Sequence, residues 1–167
     1  MRTTLLLIGL SLAASRLAGQ SPDGMFAQGA IGSILDAWHA AAAKADEERY
    51  FSYFTPDAVF LGTDATERWT RDEFRRWAHP YFASGKGWTY RATARWISFA
   101  PDRRVAWFDE LLESAAYGTC RGAGVLVATD SGWKIAQYDL SIPIPNGLSA
   151  EIVKRIEESA KAGKKGS

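Results

Sequence analysis

Near residue 88 the apolar pattern of this chain changes period, and that change limits the folds open to it. Before it, apolar residues recur every three or four positions; after it, aromatic, small and charged residues alternate. Ile31, Ile34, Leu35, Trp38, Ala41, Ala42 and Ala45 share one face of a helix expected from about Gly32 to Lys44. Asp46 is placed to cap a second, short helix in which Tyr50, Phe51 and Phe54 face inward, ended by Thr55-Pro56-Asp57. Ala58-Val59-Phe60-Leu61 reads as a short buried strand with Gly62-Thr63-Asp64 as its exit turn. Thr70-Arg71-Asp72-Glu73 has the form of a capping box, since the Thr70 hydroxyl can accept from the Glu73 amide while the Glu73 side chain reaches back. Phe74, Trp77, Ala78 and Tyr81 make the apolar face of the helix it opens, and Pro80, lacking an amide hydrogen, must kink or end it.

Beyond the loop Ser84-Gly85-Lys86-Gly87, four alternating stretches follow: Trp88–Phe99, Val105–Ser114, Tyr117–Ala128 and Trp133–Ile142. Turns at Pro101-Asp102 and Asp130-Ser131-Gly132 predict a long antiparallel four-strand meander. Three helices before such a sheet make an α+β layout in which the sheet wraps around the helices. Val125-Leu126-Val127 breaks the alternation with a continuous apolar run, as in a strand covered on both faces. One cover is the helical layer; the other is expected to be a second subunit, giving a homodimer through the sheet. After Pro143 and Pro145, Ser149 can cap a last helix with Ile152, Val153 and Ile156 in one stripe and Glu151–Arg155 and Glu157–Lys161 pairs beside it.

The first nineteen residues have the layout of a secretory signal: a charged start at Arg2, an apolar stretch from Leu5 to Ala14, and the small pair Ala18-Gly19 before a cleavage expected at Gln20. Cleavage after Ser15 is the alternative. The expected division is therefore a signal peptide at 1–19, a flexible segment at 20–31, one domain at 32–146, and a C-terminal helix with a frayed tail at 147–167. The mature chain is expected in the periplasm or the medium. A lipoprotein signal needs cysteine where Gln20 stands, so no stable membrane anchor is expected. Removing residues 1–19 from the 167 leaves 148, enough for one domain with a real core, and takes away Arg2 and Arg16. The remaining 18 basic and 19 acidic residues attract neither nucleic acid nor an anionic membrane. Cys120 is the only cysteine, so no intramolecular disulfide can form, and its place in a strand suits a small buried hydrophobe.

The seven tryptophans exceed what core filling in one small domain requires. Trp38, Trp69, Trp77, Trp88, Trp96 and Trp107 are candidates to line a cavity for a planar apolar ligand, with core packing the alternative for at least half of them. Asp109 and Glu110 are adjacent in a strand, so only one can enter such a cavity. That carboxylate either acts chemically or pairs with Arg95 or Arg121 across the sheet. Gly118, Gly122 and Gly124 surround Arg121, either to let a ligand or backbone approach or to let the sheet bend. Tyr138 could polarise a carbonyl or serve only a structural hydrogen bond. His39 and His79 lack metal-ligand spacing, and no Gly-x-Ser-x-Gly, His-Glu-x-x-His or Gly-x-Gly-x-x-Gly motif is present; no metal or cofactor is expected.

Trp38 in the first helix, the passage Phe54-Thr55-Pro56-Asp57-Ala58-Val59-Phe60, and Gly132-Trp133-Lys134-Ile135 opening the last strand resemble the SnoaL-like branch of the nuclear transport factor 2-like superfamily. A tighter resemblance, to exported members, is carried by residues 62–69, Ala106-Trp107-Phe108-Asp109-Glu110, residues 121–126 and Ile142-Pro143-Ile144-Pro145-Asn146. The resemblance implies a cone in which N-terminal helices pack in a curved antiparallel sheet, a cavity between them, frequent dimers and no obligatory cofactor. It also implies a choice of uses: binding a small apolar or aromatic molecule, isomerising, dehydrating or cyclising one, or serving as a non-catalytic assembly module. In the steroid-isomerase relatives the base ends the first strand, where this chain has Gly62; Asp64 is the nearest carboxylate. The enzymatic alternative therefore takes Asp109 or Asp64 as base and Tyr138 or Arg121 to stabilise an oxyanion.

Overall fold

The computed structural model describes residues 22–165; the expected signal peptide and its cleavage site lie outside them. Helix α1 runs Pro22–Ala43, ten residues earlier than its apolar stripe implied, so the described part of the segment expected to be flexible is helical. Proline at the first helical position costs no hydrogen bond and fixes φ favourably. The stripe is buried as expected: Ile31, Leu35, Trp38, Ala41 and Ala42 are all within 2 % of full burial. Asp46 caps α2, Glu47–Ser52, its carboxylate accepting from the Arg49 amide at 3.1 Å.

Strand β1, Phe54–Leu61, takes in Thr55-Pro56-Asp57, the tripeptide expected to precede it. Phe54 already pairs with Ile135, and the register shifts before Val59, so Pro56 sits in an irregularity where no ladder amide is needed. A three-residue strand, β2 (Arg68–Thr70), folds back on β1; it is too short to show a period in the sequence. The capping box at Thr70 and Glu73 opens α3, Arg71–Ala83, with both reciprocal hydrogen bonds present. The helix continues past Pro80 to Ala83, and Phe82 is buried in that last turn.

The four alternating stretches form β3 (Arg91–Phe99), β4 (Val105–Ser114), β5 (Gly118–Thr129) and β6 (Gly132–Ser141), an antiparallel meander. The sheet has six strands in the order β2-β1-β6-β5-β4-β3, and β1 lies parallel to β6. It is mixed rather than wholly antiparallel, because β1 comes from the helical half and inserts beside the last strand. Helices on one face of this sheet make the α+β architecture.

Alternation assigns the two sheet faces. Ala106, Phe108, Glu110, Leu112, Cys120, Leu126, Ile135, Tyr138 and Leu140 point to the helices and are buried. Trp96, Trp107, Asp109 and Arg121 point away. Leu126 is the inner residue of the Val125-Leu126-Val127 run, while its two valines are only partly covered on the other side. A large side chain fully buried on the inner face contributes roughly 1.5–3 kcal/mol. A turn of 3-10 helix, Asn146–Leu148, then leads into α4, Ser149–Lys165, where the Glu151–Arg155 pair forms at 2.7 Å. Val153 and Ile156 on α4 remain exposed. No described helix is long and apolar enough to cross a membrane.

Candidate functional site

Between the inner sheet face and helices α1 and α3 lies a cavity of about 360 Å³. Four of the expected tryptophans, Trp38, Trp69, Trp77 and Trp88, wall it, together with Tyr50, Phe60, Phe74 and Tyr138. Several of these rings are nearly parallel. Trp69 and Phe74 lie 6° from coplanar orientation, Phe60 and Phe74 stack at 3.8 Å and 17°, and Trp77 stacks on Trp69 at 5.2 Å and 24°. The order follows from sequence position: β2 lays Trp69 beside Phe60, which it faces across the pair, and the first turns of α3 bring Phe74 and Trp77 over both.

One polar cluster sits against this apolar wall. Glu110, fully buried on β4, accepts from His39 Nε2 at 2.8 Å, from Arg95 Nε at 2.8 Å, and at 3.4 Å from the Tyr138 hydroxyl. Arg95 is held in turn by the Gly32 carbonyl at 3.0 Å and the Asp36 carboxylate at 2.8 Å, both on α1. Burial pushes the Glu110 carboxyl up, but the hydrogen bonds and positive charges of His39 and Arg95 outweigh it and hold it below its ordinary value. Burial first, and then the Glu110 charge, drive the Tyr138 phenol far above its ordinary value, so it remains a donor. Gly122 leaves room for this cluster: a Cβ there would lie 2.2 Å from the Tyr138 hydroxyl and 3.0 Å from Glu110 Oε1. The glycines of β5 therefore admit neighbouring side chains, since Gly124 likewise makes space for Phe108 and the Gln137 carbonyl.

The sequence profile of the SnoaL-like domain matches residues 31–145, well over half the chain and all of the elements that build the cavity. This chain belongs to the SnoaL-like domain family. Its fold is that of the nuclear transport factor 2-like, or cystatin-like, proteins. A nuclear transport factor 2-like protein of unknown function from Pseudomonas putida superposes with a TM-score of 0.61 at 12 % identity, over 73 % of this chain and 90 % of that one. A cystatin-like domain of unknown function from Nostoc punctiforme gives 0.60 at 17 %, over 84 % and 98 %. An uncharacterised cystatin-like protein from Caulobacter vibrioides gives 0.61 at 16 %, over 78 % and 99 %. At these identities the likeness is one of fold. No curated protein matches the chain.

The remaining expected site residues of this SnoaL-like domain are placed as follows. Tyr138 lines the cavity. Asp109 does not: the strand turns it to the outer face, opposite Trp96 and Ala123, and Glu110 is the carboxylate that enters. Arg121 is exposed on the same outer face, and Arg95 is the arginine that pairs with the inner carboxylate. Asp64 is exposed in the turn after β1, where the Thr66 hydroxyl and amide, at 2.6 and 2.8 Å, hold its carboxyl below its ordinary value. Trp96 and Trp107 are 54 % and 49 % exposed on the outer face and contribute nothing to the cavity. Cys120 is buried, and burial pushes its thiol up.

Two cavity residues, His39 and Glu67, are not among the expected site residues, and an expected one, Trp38, carries a polar feature that the sequence does not show. His39 lines the cavity although it had been weighed only as a metal ligand; its spacing from Leu35 and Ala42 places it on the buried stripe of α1. Glu67 lies at the cavity mouth over Gly62, where a Cβ would come within 2.2 Å of its Oε2, so the position expected to hold a base is filled by the next carboxylate along the turn. Trp38 Nε1 is a buried donor with no acceptor among the described residues, a signal that exists only in three dimensions. His79 stands elsewhere, bonded to Glu47 at 2.7 Å in an exposed link between α2 and α3.

Proposed function

We propose that this SnoaL-like domain binds a small, planar, largely apolar molecule in the aromatic cavity. The observation that carries the reading is the near-parallel set Phe60, Phe74, Trp69 and Trp77 around an unfilled volume of about 360 Å³. That volume falls in the range of small-ligand pockets, and a stack of aromatic rings offers a flat face beside which another flat ring can lie. Polar groups of the wall, His39, Thr63, Glu67 and Lys86 among them, set orientation while the aromatic rings supply affinity. A thermal-shift comparison of planar bicyclic aromatics with saturated analogues of equal volume tests this. The flat series should raise the melting temperature and the saturated series should not; equal or absent shifts in both would sink the reading.

Export belongs to the same proposal. It rests on Arg2, the apolar stretch Leu5–Ala14 and the small pair Ala18-Gly19. N-terminal sequencing of chain recovered from the periplasm or medium should begin at Gln20, or at Arg16 for the alternative cleavage; a cytoplasmic chain beginning at Met1 would contradict it.

A second reading, a homodimer through the outer sheet face, is favoured by a specific observation. Trp96 and Trp107, both about half exposed, share that face with Leu111 and Val125. Large apolar side chains gathered on one open face are the usual mark of an interface. Sedimentation equilibrium should return twice the chain mass, and a strict monomer at high concentration would end the reading.

A further inference from the structure

Two charged side chains line the cavity and form no ion pair with each other among the described residues: Glu67, from the turn before β2, and Lys86, from the loop after α3. They are not equivalent. Glu67 is half-buried and held, because its Oε2 accepts from the Asp64 amide at 3.1 Å and folds back over Gly62, which has no side chain in the way. Its backbone is fixed too: the Gly62 amide donates to the Glu67 carbonyl at 2.8 Å, and the Glu67 amide donates to the Asp64 carbonyl at 2.9 Å. No described donor reaches Oε1. Lys86 is exposed, and its ammonium makes no hydrogen bond or ion pair among the described residues. Asp64 adds negative charge to the same turn, whereas Arg68 points away, since it alternates on β2 with Trp69, which lines the cavity. The rim between these charges is aromatic. Trp77, Tyr81 and Tyr117 line it and are each about half exposed. Here the parallel stack gives way to tilted rings, Trp77 standing 5.1 Å from Tyr81 at 40° and 6.2 Å from Trp88 at 42°. Aromatic faces attract cations through their quadrupole, and the attraction grows as water is excluded.

We propose that the cavity takes a cation: a flat aromatic molecule with a permanent positive charge, such as an N-alkylated heteroaromatic ring, its charge lying at the mouth beside Glu67 and the rim rings. This inference rests on the cavity being a ligand site and adds the sign of the ligand's charge; its test separates the two. The inner stack receives the apolar body and the mouth selects the charge. A cation without N–H bonds needs no acceptor aimed at it, so a carboxylate with one oxygen committed to the Asp64 amide, together with exposed ring faces, is sufficient. Lys86 opposes such a ligand, but its exposed ammonium is screened by water and salt, so it lowers the affinity without reversing the preference. An anionic ligand would meet the reverse arrangement, with the fixed, half-buried charge repelling it and only the exposed one attracting it.

The probes are three flat bicyclic molecules of similar shape: the cation N-methylquinolinium, neutral 1-methylnaphthalene and the anion 1-naphthoate. Each is titrated calorimetrically into the purified chain, into Glu67→Gln and into Lys86→Met. Glutamine keeps an acceptor for the Asp64 amide and removes only the charge. The expected result is saturable binding of N-methylquinolinium that weakens as salt rises, falls about fivefold or more in Glu67→Gln, and tightens in Lys86→Met. Binding of 1-methylnaphthalene should be alike in all three proteins. N-methylquinolinium binding that is unchanged in Glu67→Gln would overturn the proposal, as would 1-naphthoate binding the more tightly and losing that affinity in Lys86→Met. In either case saturable binding of 1-methylnaphthalene would leave the cavity reading standing. Binding of none of the three would remove both. Should Glu67→Gln fail to fold, salt dependence and Lys86→Met decide, and N-methylquinolinium binding indifferent to both overturns the proposal.

Discussion

Glu110 and Gly122 show how one buried charge constrains its neighbours. An unpaired carboxylate at 0 % exposure would be too costly to keep, and three donors from α1, β3 and β6 remove that cost only because β5 carries no side chain at 122. Gly122→Ala should therefore destabilise by about 1–3 kcal/mol. Thermal unfolding checks it, with a melting temperature lowered by several degrees and the loss rescued in part by Tyr138→Phe, which removes the clashing hydroxyl. Because the folded state holds the Glu110 carboxyl below its ordinary value, the stabilisation it gives is present at neutral pH and is lost as pH falls through that lowered value. Glu110→Gln breaks the buried pair and should cost about 3–5 kcal/mol at pH 7. Denaturant unfolding of both proteins from pH 7 downward should show this gap narrowing below about pH 4. A constant gap would mean that the charge of Glu110 is not what stabilises the fold.

The elements differ in how far they could be read from sequence, and the reason is range. Helix α3 was legible because its start is local: Thr70 and Glu73 satisfy each other's amides within four residues. Thr70→Ala should cost about 1 kcal/mol, measured by thermal unfolding, with Thr70→Ser near neutral. The meander was legible because its alternation is sustained over nine to twelve residues a strand and its turns carry their own signals. The parity of β4 was not: Trp107 and Leu111 make the outer face nearly as apolar as Phe108 and Leu112 make the inner one, so alternation alone could not choose between Asp109 and Glu110. The first residues of β1 look helical in the sequence because Phe54 follows the helical spacing of Tyr50 and Phe51, while its true partner, Ile135, is 81 residues away. The same gap hid the polar cluster against the cavity wall, since His39, Arg95, Glu110 and Tyr138 come from four elements and meet only when the sheet closes on α1.

At the scale of the molecule, six of the seven tryptophans divide between two surfaces, while Trp133 is partly buried beside Phe99. Trp38, Trp69, Trp77 and Trp88 face the inner cavity, while Trp96 and Trp107 face outward. The aromatic excess visible in the sequence thus served two purposes, and composition could not separate them. If the outer set forms an interface, Trp107→Glu should give a monomer by sedimentation while leaving ligand-induced thermal stabilisation intact, because the two surfaces lie on opposite sides of the sheet. Ligand at about one hundred times its Kd adds about 2.7 kcal/mol to stability, an effect large enough to read in either oligomeric state. The central claim, that the inner cavity holds a flat apolar molecule, is tested most directly by calorimetric titration with 2-naphthol of the wild type and of Thr63→Trp, which fills the cavity mouth. The account predicts saturable binding with a negative heat-capacity change in the wild type and its loss in the folded variant; equal binding by both, or none by either, would contradict it.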